Sequence, residues 1–98
     1  MKFVQIMEFK TTNLDAALEL EARWRKATEG KRTATSVVKT LDRDKPETYV
    51  WIIEFPSYED AMRNSDLPAT QEISQELTKI SEGPPMFRNL DIMEETPL

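Results

Sequence analysis

Thr48-Tyr49-Val50-Trp51-Ile52-Ile53-Glu54-Phe55-Pro56-Ser57-Tyr58-Glu59-Asp60 is the stretch whose reading decides the fold. From Tyr49 to Phe55 large apolar groups stand at both odd and even positions, so a strand here carries them on both faces. Pro56 lacks the N–H needed to continue a ladder. Ser57, with Asp60 three residues on, is a helix-capping signature. A two-sided apolar strand that runs straight into a helix must lie centrally, with other elements packed on its faces.

N-terminal to this stretch, Lys2 to Phe9 alternates Phe3, Gln5, Met7 and Phe9 with Val4, Ile6 and Glu8, a second strand with apolar groups on both faces. Thr11, Thr12 and Asn13 have turn and cap character, and Asp15 favours a first helical turn. Leu14 to Thr28 then reads as a helix whose broad apolar stripe includes Ala17, Leu18, Leu20, Ala22 and Trp24, ended by Gly30. Lys31-Arg32 reads as a short solvated basic loop. Thr33 to Leu41 is rich in β-branched and polar residues and suits an edge strand. Asp42 to Glu47 has turn composition at hairpin distance from the central strand, so these two strands should pair antiparallel.

C-terminal to it, a short helix runs from Ser57 to about Asn64. Asn64-Ser65-Asp66-Leu67-Pro68 signals a second helix start, with proline tolerated in the first turn. Ala69, Ile73, Leu77 and Ile80 form one face of the longer helix, which Gly83-Pro84-Pro85 terminates. Met86 to Met93 alternates as a last strand, and Glu94 to Leu98 reads as a tail.

The order strand, helix, strand, strand, helix pair, strand is the ferredoxin-like βαββαβ arrangement of an α+β domain with a four-stranded antiparallel sheet. Right-handed crossovers put both helical segments on one face, with the first and third strands central. The other face is left bare. It exposes a set drawn from Phe3, Met7, Tyr49, Trp51, Val4, Ile6, Val50 and Ile52, and an apolar patch of that kind marks an interface. A homodimer sealed by this face is the expected assembly.

Residues 1–98 read as one domain, burying roughly 60 to 70% of its extended-chain surface and holding little reserve without a partner. Hydrophobic residues at 39% and charged residues at 32% describe an ordinary globular chain. No apolar run is long enough to span a bilayer, and Met1-Lys2-Phe3 leads directly into a strand pattern. A cytoplasmic protein without membrane contact is therefore expected. A formal net charge of −5 opposes binding to a phosphate backbone, so nucleic acid is not an expected partner. Neither cysteine nor histidine occurs, which removes thiolate nucleophiles, Ser-His pairs and imidazole metal ligands. Acid–base chemistry would fall to a carboxylate, lysine or tyrosine. Asp42, Asp44 and Glu47 share one loop but lack the glycine and terminal bidentate acid of a calcium loop, and no metal is expected.

In length, element order and the run Phe55-Pro56-Ser57-Tyr58-Glu59-Asp60-Ala61 through Leu67-Pro68, the chain resembles the dimeric α+β barrel superfamily. That superfamily includes antibiotic-biosynthesis-type monooxygenases and haem-degrading proteins. The resemblance implies two sheets closing face to face into a barrel, with a small-molecule pocket between the helices and sheet of each subunit. Haem-degrading relatives use a histidine together with an asparagine on the first strand. This chain has no histidine and carries Gln5 and Met7 there, so neither haem nor any other cofactor is expected. Cofactor-free oxygenases of the superfamily surround an aromatic substrate with Asn, Trp, Tyr and Arg. The residue types available here are Trp51, Trp24, Tyr49, Tyr58, Asn64, Arg25 and Arg88.

Glu21 and Arg25 project inside the apolar stripe of the first helix. Two readings stand: an i, i+4 ion pair at the stripe's edge, or a polar pair lining a pocket. The candidate ligand-binding residues are accordingly Glu21, Trp24, Arg25, Tyr49, Trp51 and Arg88, against the simpler reading that the aromatics are core. The functional expectation is a small-molecule-binding barrel without catalytic activity; the alternative is a cofactor-independent monooxygenase acting on a small aromatic or quinol-type substrate. A third reading, an RNA-recognition module with an aromatic third strand, lacks the glycines and basic residue of that motif.

Overall fold

The computed structural model describes residues 1–98. Its elements are β1 (Phe3–Lys10), α1 (Leu14–Ala27), β2 (Ser36–Leu41), β3 (Thr48–Phe55), α2 (Tyr58–Ser65), α3 (Pro68–Ile80) and β4 (Met86–Asp91). The strands form one antiparallel sheet in the order β2-β3-β1-β4, so the two strands that are apolar on both faces are central. This is the βαββαβ arrangement that the element order predicts.

Local chemistry sets the helix starts. Asn13 Oδ1 accepts from Ala16 N at 3.1 Å, and Ser57 Oγ accepts from Asp60 N at 3.1 Å. The start of α3 differs from expectation. Leu67 is its cap and makes no side-chain bond, so Pro68 alone opens the helix, its missing N–H being one the first turn leaves unpaired anyway. β2 also starts later than its composition suggests, at Ser36 rather than Thr33, because the crossing chain is pinned elsewhere. Thr33 Oγ1 donates to Asp60 O of α2 at 2.6 Å, and only at Thr35 N, bonded to Glu54 O at 2.9 Å, does pairing with β3 begin.

Register separates the two faces of the sheet. Phe3, Gln5, Met7 and Phe9 lie beside Phe55, Ile53, Trp51 and Tyr49, and Phe3, Phe9, Trp51 and Phe55 are the buried ones. That face is the one under the helices. The opposite face carries Val4, Ile6, Val50 and Ile52, flanked by Val38 of β2 and by Met86, Arg88 and Leu90 of β4. Only 13 of the 98 residues are buried in the single chain.

The core under the helices is divided. One cluster joins Phe9, Ala17, Leu20, Trp51 and Leu77; a separate one joins Phe3, Phe55 and Ala61. A domain of this size ordinarily has one contiguous core. The gap between the clusters is the feature that bears on function.

Candidate functional site

Between the two clusters lies a cavity of ≈ 730 Å³, floored by the sheet and walled by α1, α2 and α3. Its floor includes Gln5, Met7, Val37, Trp51 and Ile53, and its walls include Leu20, Trp24, Ile73 and Leu77. Side chains join its α1 and α3 walls. Trp24 Nε1 donates to Thr70 Oγ1 at 2.9 Å, and Arg23 Nη2 meets Glu76 Oε2 at 3.0 Å, tying the two helices together.

The buried side of α1 runs through Ala17, Leu20 and Glu21 to Trp24 and Thr28, while Leu18 and Ala22 face outward. The apolar stripe drawn from composition is therefore rotated, and a carboxylate sits near the middle of the true buried face. Glu21 has only 8% of its side chain exposed. Arg25 Nη2 donates to both its oxygens, at 2.9 and 2.7 Å, and Lys39 Nζ reaches Oε2 at 3.1 Å from β2. Both readings of the Glu21–Arg25 pair thus describe the molecule: it is an i, i+4 ion pair, and both residues line the cavity. Burial pushes the Glu21 carboxyl up, but the hydrogen bonds and charges of Arg25 and Lys39 outweigh it and hold the group below its ordinary value of 4.5.

A depressed carboxyl contributes stability that is complete above its unfolded value and is lost as pH falls through the folded one. Because Arg25 is more than half exposed, solvent screening trims the ionic contribution. Glu21→Gln should cost roughly 1–2 kcal/mol at neutral pH, and that deficit should shrink as pH falls below the ordinary carboxylate range and the parent's carboxyl protonates. Urea unfolding of both proteins across that range checks this; a deficit that ignores pH would rule out the ionic cause.

Of the residues singled out from sequence, Glu21, Trp24, Arg25 and Trp51 come together around the cavity. Tyr49 and Arg88 do not, and their placement there is corrected. Tyr49 shares the helix-covered face but packs on Phe9 with ring centroids 5.6 Å apart, one row beyond the cavity. Arg88 stands beside Ile6 on the opposite face of the sheet, because strand alternation turns it away from its neighbour Phe87, which does line the cavity.

Two contributors escaped the sequence reading, and a third, Asn64, was named there only as an available residue type. Arg32, read as solvated loop, is half-buried, with its guanidinium 5.7 Å from the Trp24 ring centroid. Nothing local predicts that contact. Lys39 places its ammonium 5.3 Å from the Trp51 ring, which follows from the Lys39–Trp51 register and was countable from the hairpin. Asn64, three residues after the buried Ala61 on α2, is 6% exposed; its side-chain oxygen is buried without a hydrogen-bond partner, and the residue lines the cavity. The three-residue spacing from Ala61 was the available signal.

No family model matches the chain, and no curated protein matches it. Solved structures do. The chain is similar to the cofactor-independent oxygenase SnoaB from Streptomyces nogalater, in an asparagine-to-alanine variant, at 14% identity and TM-score 0.81, covering 99% of this chain and 98% of that one. It is similar to Rv0793 from Mycobacterium tuberculosis at 13% identity and TM-score 0.79, over 99% and 100% of the two chains. An antibiotic biosynthesis monooxygenase matches at 15% identity and TM-score 0.73, over 96% and 100%. The chain has the ferredoxin-like α+β fold of these antibiotic-biosynthesis-monooxygenase-like proteins, as the resemblance in sequence implied. No helix is long and apolar enough to cross a membrane.

Proposed function

We propose that this protein binds a small, mainly aromatic molecule in the cavity between its helices and sheet, and orients it through Asn64. The observation that carries the reading is the Asn64 side-chain oxygen, buried with no partner, on a residue that lines the cavity. A buried acceptor left unpaired costs about 1–3 kcal/mol. A rotation of the carboxamide that brings its oxygen to a ligand hydroxyl recovers that cost, so a polar group that weakens the empty protein strengthens the filled one. The cavity's size lies within the span usual for small-molecule sites, roughly 300–1,000 Å³, and its aromatic walls, Trp24 and Trp51, suit a flat ring system.

Both tryptophans line the cavity, so quenching of intrinsic fluorescence by naphthol reports occupancy directly. Asn64→Leu should raise the unfolding midpoint of the unliganded protein or leave it unchanged, and weaken naphthol binding about tenfold. A variant that loses stability while binding as well as the parent would make Asn64 an ordinary structural residue.

A second reading has its own support. The fold likeness includes a cofactor-independent oxygenase, and Arg25 and Arg32 line the cavity, where a cation favours a developing enolate or phenolate. In that reading an activated ring CH₂ becomes C=O: dioxygen supplies the carbonyl oxygen, its second atom leaves as water with the two hydrogens, and the substrate provides all the electrons. Oxygen uptake with an anthrone and no added cofactor tests it; uptake no faster than without protein leaves binding alone.

The same proposal includes a homodimer closed over the open sheet face. Its support is the apolar row Val38, Ile52, Ile6, continued by Val4, Val50 and Leu90, that no element of the single chain covers.

A further inference from the structure

Three cations stand at the α1–β2 side of the cavity, and two of them meet one carboxylate. Arg25 and Lys39 are both bonded to Glu21, which leaves Arg32 with no acidic partner. Its Nη1 donates to Arg25 O at 2.7 Å and lies 3.5 Å from Thr28 Oγ1. The other N–H groups of its five-donor fork have no protein acceptor. The guanidinium is nonetheless held in place, stacked over Trp24 and lining the cavity. Glu21 is the sole acidic residue in the cavity lining, so this corner is net positive in a chain whose net charge is −5.

We infer that the ligand is an aromatic acid, its carboxylate taken by Arg32 and its ring lying along Trp24 and Trp51. This rests on the binding reading above and names the ligand class that the same cavity selects. Arginine's planar fork suits a carboxylate because two parallel N–H groups can be donated at once. The geometry supplies the fork already oriented, since its Nη1 contacts and the Trp24 ring restrict rotation, and ordering costs are met before the ligand arrives. The ion pairs of Glu21 matter as much as the free cation. They neutralise the one carboxylate that would otherwise repel an incoming anion, and they leave Arg32 as the unpaired charge. Asn64 on the α2 wall offers a second polar partner, so the favoured molecule also carries a hydroxyl, with its acid at the α1–β2 corner.

A hydroxynaphthoate and its methyl ester have nearly the same ring, hydroxyl and shape, and differ in charge. Titrated against the full chain by tryptophan quenching, the acid should bind about tenfold or more tightly than the ester at low salt. That preference should vanish in Arg32→Met and persist in Arg32→Lys, which keeps the charge. Equal binding of acid and ester by the parent, or a preference that survives Arg32→Met, overturns the inference while leaving the cavity a ligand site. Absence of binding by either compound overturns both this inference and the reading it rests on. Should Arg32→Met not fold, the acid preference of the parent must fall as salt is raised, and a salt-independent preference overturns the inference.

Discussion

Ile52→Asp should convert a dimer into a folded monomer. Ile52 lies in the middle of the open face, with Ile6 of β1 on one side and Val38 of β2 on the other, and every contact it makes on that face beyond those neighbours must come from a second molecule. A two-fold interface meets the substitution twice. Losing a buried isoleucine costs about 2–5 kcal/mol, and an unpaired carboxylate facing its symmetry mate adds desolvation and repulsion. The dimer dissociation constant should therefore rise by three orders of magnitude or more, on the order of 4 kcal/mol or above. Because the side chain points away from the helices, the core around Phe9, Trp51 and Leu77 is untouched and helical circular dichroism should be retained. Sedimentation velocity at micromolar concentration decides the matter. A parent that sediments as a monomer, or an Ile52→Asp protein that still dimerises, would show that this face is not the interface.

Trp51→Ala should cost about 3–5 kcal/mol, a large part of the 5–15 kcal/mol that holds most domains together. Trp51 is 4% exposed and central to the larger core cluster. Its ring meets Phe9 edge-on, with centroids 5.0 Å apart and planes at 86°, and carries the Lys39 ammonium on its face. Removing it deletes that packing, releases Lys39 from its ring and opens the floor of a cavity that already divides the core. Trp51→Phe keeps a ring against Phe9 and should cost much less, about 1–2 kcal/mol. Denaturation in guanidinium should be compared at one fixed protein concentration, because the proposed dimerisation would contribute to apparent stability. A loss below about 1.5 kcal/mol for Trp51→Ala would mean that the cavity collapses to refill the space.

These two expectations draw on opposite faces of one sheet, and the sequence could not assign them. Tyr49 to Phe55 and Phe3 to Phe9 are apolar on both sides, so alternation says that two faces are covered without saying by what. The decision comes from the helices. Ala61 of α2 packs on Phe3 and Phe55, while Ala17 and Leu20 of α1 and Leu77 of α3 pack on Phe9 and Trp51, leaving Val4, Ile6, Val50 and Ile52 for the other face.

Element order, the central position of β1 and β3, the cap at Ser57 and the helical face of Ile73, Leu77 and Ile80 were all determined by the sequence itself, because each depends on residues a few positions apart whose periodicity or turn chemistry is local. The pairing of Glu21 with Arg25 was legible for the same reason. The cavity and most of its polar equipment were decided only by tertiary structure. Lys39 reaches Glu21 from a different strand, Arg32 finds Trp24 across the turn that ends α1, and Trp24 bonds Thr70 forty-six positions away. Those meetings depend on how α1, α3 and the sheet are placed relative to one another, a quantity set by packing over the whole domain. Spacing along the chain carries no information about it, and that is why the fold could be read from the sequence while the site had to be seen.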